Sequence, residues 1–395
     1  MQHFEQSETL KRLPKQFFAG LVQKVQHMVN QGYDVINLGQ GNPDLPTPQH
    51  IVEELKVAVD NSQYHKYSPF RGQEFFKEAI ASFYKREFDV DIDPSTEVAI
   101  LFGTKAGLVE ISQCLLNPGD IALMPDPGYP DYMSGIALAN AKPVFMPLQE
   151  ENNFLPDYEA LNQDQLDQAK LMFLNYPNNP TAATASEEFF DETIAVAKKH
   201  DICVLHDFAY GAIGFDGEKS QSFLQSEGAK DVGIEMYTLS KTYNMAGWRA
   251  GFAVGNPSVI ESLNLIQDHM FMSLFGAVQQ AATKALLADQ SEVEKLVSIY
   301  EERRNVIIEK LNEIGWHVKA PKGSFFVWLA VPRGFTSEEF ADLLLEKAHV
   351  AVAPGNGFGE MGEGYVRIGL LAEPDRLKEA AERIGKLEVF QNHDI

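Results

Sequence analysis

Cysteine is scarce: two residues in 395, Cys114 and Cys203, each inside an apolar run. Two such residues build neither a disulfide framework nor a cysteine-rich metal site, and they read as small buried hydrophobes. The ten histidines show no H-E-x-x-H or comparable zinc-ligand spacing, so no metal is expected. Positive charge is also in short supply, with 33 Lys and Arg against 56 Asp and Glu, a formal net charge of -23. No cluster of Lys or Arg reverses that field locally, which argues against nucleic acid and anionic membranes as partners. No apolar run reaches membrane-spanning length, and Met1-Gln-His-Phe-Glu-Gln6 is polar with no leader-like apolar core. A cytoplasmic location is the default expectation. Repeats and low-complexity segments are missing as well.

What is present suits a packed enzyme: 45% hydrophobic and 11% aromatic residues, in a chain long enough for one large domain or two. An amphipathic helix is expected over 15–31, with Phe18, Leu21, Val22, Val25 and Val29 on one face and Gly32 as its stop. Further helices are expected over 73–88, from Gly103 through Leu116, across 257–315 and over 374–390. Charged residues from Glu292 to Arg304 read as a solvated face of the long helical stretch. Short β-rich runs fall at 35–38, 97–102, 121–124, 171–174, 202–207, 234–239, 248–255, 323–329, 350–354 and 364–369. Strands alternating with helices through the middle imply an α/β chain, its mainly parallel sheet covered on both faces.

The chain is organised around Tyr237-Thr-Leu-Ser-Lys-Thr-Tyr-Asn-Met-Ala-Gly-Trp-Arg-Ala-Gly251. Lys241 follows a strand, sits among Thr238, Ser240 and Thr242, and precedes Arg249 by eight positions. A lysine so placed can have a lowered pKa and condense with an aldehyde. Arg249 and the hydroxyls suit the anionic handle of that aldehyde. Upstream, a strand, Gly103-Thr-Lys-Ala-Gly107 and a helix start would offer free N–H groups to a phosphate. This is neither a P-loop nor a dinucleotide fingerprint. Arg367 stands alone in the apolar run Gly364–Gly369, where a guanidinium needs an anion. Taken singly, each feature also has a plain reading: a loop lysine, a helix cap at Asp207, a structural ion pair at Arg367.

In their order, these segments resemble class I and II aminotransferases of the fold-type-I scaffold. The similarity runs from about 35 to 370. It is carried by the S-x-S-K-x-x-x-x-x-G-x-R-x-G pattern around Lys241, the G-x-P-D turn at Gly41, the Y-x-x-x-x-G segment Tyr67–Gly72 and Pro127-Gly-Tyr129. Asn175-Tyr-Pro-Asn-Asn-Pro-Thr181 and the D-x-x-Y pair Asp207 and Tyr210 complete it. The resemblance implies pyridoxal 5'-phosphate as cofactor, linked to Lys241. Asp207 would face its ring nitrogen, Asn179 and Tyr210 its 3'-oxygen, and Tyr129 one face of its ring. Gly103, Thr104, Lys105, Thr238 and Arg249 would hold the phosphate, with Tyr67 reaching in from a second subunit of a homodimer. Arg367, with Gly41 and Asn179, would bind the substrate carboxylate. Ala182 departs from the family, which usually has glycine there, and a turn needing positive φ would strain it.

The same resemblance implies a large domain over 45–290, and a small one from 1–44 with 291–395. It implies a ping-pong exchange of an amino group between an L-amino acid and a 2-oxo acid. Leu263–Gln280 has no Lys or Arg and is rich in Met270, Phe271, Met272, Leu274 and Phe275, so it is expected to form an apolar side-chain pocket with Phe17 or Phe18. The wording around Asn179 and Asp207 is similar to methionine-salvage aminotransferases, which aminate the keto acid of methionine. Another fold-type-I activity, such as a cysteine-conjugate β-lyase or an aminocyclopropane carboxylate synthase, is the alternative reading. A non-catalytic PLP-sensing module is a third, although no basic DNA-binding segment precedes the first motif.

Overall fold

A computed structural model describes residues 1–387 and 389–390. Position 388, in the expected last helix, and the five residues after 390 lie outside the described part. Among the described residues twelve strands follow in chain order: β1 (Ile36–Asn37), β2 (Val98–Leu101), β3 (Ile121–Asp126), β4 (Lys142–Pro147), β5 (Ala169–Leu174), β6 (Cys203–Asp207), β7 (Gly233–Thr238), β8 (Gly251–Gly255), β9 (Phe326–Ala330), β10 (Val350–Ala351), β11 (Ala353–Pro354) and β12 (Tyr365–Gly369). Seven of them form the central sheet in the order β2-β8-β7-β6-β5-β3-β4. Only β8 runs antiparallel to its neighbours.

Period-two side-chain alternation explains why the sheet is covered twice. Ile100, Leu123, Met172, Val204, Tyr237 and Phe252 enter one apolar cluster; Leu101, Met124, Phe173, Leu205, Met236 and Ala253 enter another. Helices such as Glu74–Phe88 and Thr104–Leu115 supply the covers. The edge strand β4 escapes sequence reading. It carries a lysine and two prolines and is largely exposed, as tolerated only at a sheet edge.

A third apolar cluster surrounds the antiparallel sheet β11-β12-β9 and the short pair β1-β10, with Trp316, Phe325, Phe340 and Leu344 at its centre. The stretch 257–315 is three helices, Pro257–Met270, Gly276–Leu287 and Ser291–Glu313. The last does not present all its charges to water. Arg303 and Arg304 are buried, Arg303 holding Asp44 through two 2.9 Å bonds and Arg304 holding Asp216 through two at 2.7 Å. Arg303 also donates to Glu373 and to the Leu370 carbonyl. A paired guanidinium can be buried where a lone one cannot, and here only the Arg303 Nε stays without a partner among the nitrogens of these two side chains.

The expected strand over 248–255 begins only at Gly251, because Ala246–Trp248 is a 3-10 turn and Arg249 is left-handed at φ 56°. The N-terminal helix spans Phe18–Asn30 and ends before Gly32 at φ 92°. None of its residues is buried. Among the described residues no helix is long and apolar enough to cross a membrane, and no group of His, Cys, Asp and Glu could hold a metal. Both cysteines are free, and burial pushes each thiol up to about 12.

Candidate active site

Parallel strands end at one rim, and ligands of such sheets bind beyond the strands' carboxyl ends. Here Thr104 follows β2, Tyr129 follows β3, Asn175 follows β5, Asp207 ends β6, and Thr238 ends β7 three residues before Lys241. These side chains line a cavity of about 710 Å³ closed on its far side by Phe326, Phe358 and Arg367.

Lys241 lies in a single helical turn, Leu239–Thr242, capped by the Thr238 hydroxyl on the Ser240 amide at 3.2 Å. Its Nζ donates to the Gly41 carbonyl at 2.7 Å and lies 5.3 Å from the Phe325 ring centre. Burial, then the charge of Arg367, lowers its pKa to about 8, against the opposing pull of Asp207. An amine in that range loses and regains a proton readily near neutrality, as a general base and acid must.

Asp207 is 5% exposed. Its Oδ2 accepts from the Tyr132 hydroxyl at 2.9 Å, while buried Oδ1 has no partner. Burial pushes the carboxyl up to about 6, the Tyr132 bond working against it. A buried carboxylate oxygen facing a cavity calls for a donor from the ligand, and a protonated pyridine nitrogen meets that need.

Arg367 projects from β12 and is 6% exposed. Nη1 donates to Asn179 Oδ1 at 2.7 Å and Nη2 to the Gly39 carbonyl at 3.0 Å; buried Nε is unpartnered. Its guanidinium lies 4.0 Å from the Phe326 ring centre and 4.7 Å from that of Phe358. Burial lowers its pKa to about 10. Among the described residues no carboxylate pairs with it, so the cavity presents a cation that a ligand carboxylate can neutralise.

At the opposite end, Gly103 at φ 76° turns the chain into the helix Thr104–Leu115. A Cβ at Gly103 would collide with the Arg249 guanidinium, so glycine lets cation and helix start share one spot. Arg249 donates to the Ala246 carbonyl at 2.8 Å and keeps its exposed position at the cavity wall. Helix amides, the hydroxyls of Thr238 and Ser240 and this guanidinium fit a phosphate. With the unpartnered Asp207 oxygen, this cradle fits pyridoxal 5'-phosphate.

Of the residues singled out from sequence, Gly41, Thr104, Lys105, Tyr129, Asn179, Asp207, Tyr210, Thr238, Lys241, Arg249 and Arg367 meet at this cavity. Gly103 stands behind Arg249. Tyr67 is 87% exposed and outside the cavity wall. The expected apolar loop also stays away. Met270, Phe271, Met272, Leu274 and Phe275 do not line the cavity, since Phe271 packs on Phe102 (5.1 Å between ring centres) and Leu274 joins the core. Phe17 and Phe18 do line it, with Leu21, Val22 and Val25.

Three contributors escaped sequence reading. Tyr132 bonds Asp207. Asn175 donates to the Asp207 carbonyl at 2.7 Å and accepts from the Asn179 amide at 2.7 Å. Asp131 holds the Lys105 ammonium at 2.9 Å. Tyr132 and Asp131 sit within three residues of Tyr129, and Asn175 opens the asparagine-rich turn, so nearness to a motif was the available signal. In that turn Ala182 takes φ 60°, a left-handed geometry that costs an alanine about 1 kcal/mol.

Known proteins carry the same architecture. The model of the family "Aminotransferase class I and II" matches residues 33–384. The chain is 66% identical over 392 residues to the L-glutamine--4-(methylsulfanyl)-2-oxobutanoate aminotransferase of Bacillus subtilis, covering 99% of this chain and 98% of that one. Transaminase BacF of the same organism is 54% identical over 97% of this chain and 96% of its own. The substrate-bound BacF structure superposes with a TM-score of 0.94 at 52% identity, covering 98% of each chain. With the family model matching most of the chain and relatives at this identity named for amino-group transfer, this chain belongs to the class I and II aminotransferases, which are PLP-dependent.

Proposed function

We propose that the protein exchanges an amino group between methionine, or a similar apolar L-amino acid, and a 2-oxo acid by a ping-pong cycle. One observation carries the choice of side chain. Beside Arg367 the cavity is lined by Phe17, Phe18, Leu21, Val22, Val25 and Phe358, with Lys15, Gln16 and Gln40 among its polar lining, while the Lys105 ammonium is engaged by Asp131. Such a wall favours a thioether over a second carboxylate. The relative named for 4-(methylsulfanyl)-2-oxobutanoate supports it.

Pyridoxal phosphate, when bound, supplies a ring that withdraws the electron pair of the substrate Cα–H bond. Arg367, aided by the Gly41 loop and Asn179, holds the substrate carboxylate. Lys241 would hold the cofactor's aldehyde carbon and, once free, would move the substrate's Cα proton as general base and acid. Asp207 would keep the ring nitrogen protonated, Asn179 and Tyr210 would hold the 3'-oxygen, and Tyr129 would cover one face. Thr238, Arg249 and the turn Gly103–Ala106 would anchor the phosphate. We place the division between large and small domains near 45 and 290. We also infer a cytoplasmic homodimer in which exposed Tyr67 completes the neighbouring site, an arrangement supported by its exposure and that of Phe70, Leu265, Met270, Phe271 and Phe275.

The test is the visible spectrum of the holoenzyme as amino acids are added singly, without oxo acid. Methionine should change the cofactor absorbance stoichiometrically, and 4-(methylsulfanyl)-2-oxobutanoate should restore it. Faster turnover of aspartate would overturn the apolar reading. Pyruvate and ammonia accumulating under an unchanged spectrum would overturn transfer in favour of elimination.

A further inference from the structure

One wall of the cavity, the turn Gly357-Phe358-Gly359, belongs to the C-terminal body, yet its anchor lies at the end of β3 in the central sheet. Asp126, 5% exposed, accepts from the Met361 amide through Oδ1 at 3.0 Å and from the Glu360 amide through Oδ2 at 3.2 Å. A return bond runs from the Gly128 amide to the Phe358 carbonyl at 2.8 Å. Gly359, at φ 138°, lets the carboxylate approach, since any Cβ there would strike Asp126. The turn so held sets the Phe358 ring 4.7 Å from the Arg367 guanidinium and 4.9 Å from the Phe18 ring. Asp126 itself does not line the cavity.

We propose that Asp126 is a positioning residue for substrate binding: it fixes Phe358 as the wall that meets the substrate's side chain, while touching neither substrate nor cofactor. Both carboxylate oxygens are needed. An asparagine would turn an NH₂ group towards one of the two amides and lose that bond. The inference rests on reading this cavity as the site for an apolar amino acid.

The experiment compares holoenzyme carrying Asp126→Asn, Phe358→Ala, or both, on alanine and on whichever long apolar amino acid the unmodified enzyme uses best. Failure of the substrate reading would appear in the unmodified enzyme, and failure of this inference only in the variants. Asp126→Asn should raise KM for the long substrate about tenfold, leaving kcat within about twofold and KM for alanine unmoved. Phe358→Ala should raise KM for the long substrate at least as much, and the double variant should be no worse than Phe358→Ala alone. Hydrogen exchange at the Glu360 and Met361 amides should quicken in Asp126→Asn, with or without cofactor. Gly359→Ala breaks the same contact from the other side and serves if Asp126→Asn does not fold. Equal KM rises for alanine and the long substrate, multiplying effects in the double variant, or unchanged amide exchange would each overturn the proposal.

Discussion

Asp207 and Lys241 titrate away from their usual ranges, and in the cofactor-free chain both displacements cost stability at neutral pH. The Asp207 carboxyl is raised from 3.8 to about 6, so between those values the folded chain holds a proton that the unfolded chain has released. Stability therefore falls as pH rises through that window, and the full penalty stands above it. Asp207→Asn should make the cofactor-free protein about 2 kcal/mol more stable at pH 7 and flatten that fall, measured by denaturant unfolding at several pH values. With cofactor bound the sign should reverse, since asparagine cannot pair with a protonated ring nitrogen. For Lys241, lowered from 10.5 to about 8, the unfolded chain holds the extra proton, so stability rises from pH 8 upward. Lys241→Ala should cut turnover by about 10⁴-fold or more while leaving the circular dichroism unchanged.

The elements that deliver these side chains are strand–turn–helix units, and their turns are where substitution shows. Gly103→Ala should displace the Arg249 guanidinium and weaken cofactor binding about tenfold or more, read by titrating the cofactor-free protein with pyridoxal phosphate. Such units were legible in the sequence because Val, Ile and Leu runs end at glycine or polar turns, as at Leu101-Phe-Gly103 and Leu174-Asn-Tyr-Pro177. What stayed hidden needed contacts between distant segments. Nothing near Arg303 announces that Asp44, 259 residues away, neutralises it. Nothing in Met270–Phe275 says that Phe271 packs on Phe102, that Leu274 joins the core and that Met270, Phe271 and Phe275 stay exposed away from the cavity. Of the two apolar segments expected at the cavity, Phe17 and Phe18 line it and Met270–Phe275 does not, a difference that pattern alone could not foresee.

For the whole molecule, buried Arg303 bonded to the more exposed Asp44 ties the long helix to the segment that carries Gly39 and Gly41. Arg303→Met should break those bonds, leave the Asp44 carboxylate to water and destabilise the protein by about 1–3 kcal/mol, seen in the unfolding midpoint. The proposed sharing of sites between subunits predicts complementation. Mixtures of Lys241→Ala and Tyr67→Ala chains, unfolded and refolded together, should regain activity beyond either alone, since each hybrid carries one intact site. No recovery would place Tyr67 outside the neighbouring site.

The helix Phe18–Asn30 contributes Phe18, Leu21, Val22 and Val25 to the cavity while burying none of its residues, its distant anchor being the exposed Lys24–Asp342 pair. Val22 and Val25 line the cavity without joining a core cluster, while Phe18 and Leu21 touch only the small one around Trp328 and Phe358. Exchanges along this helix can retune which amino acid is accepted with little effect on whether the chain folds. An enzyme so built can change diet by drift at its margin, while the catalytic lysine and its strand rim stay as they are.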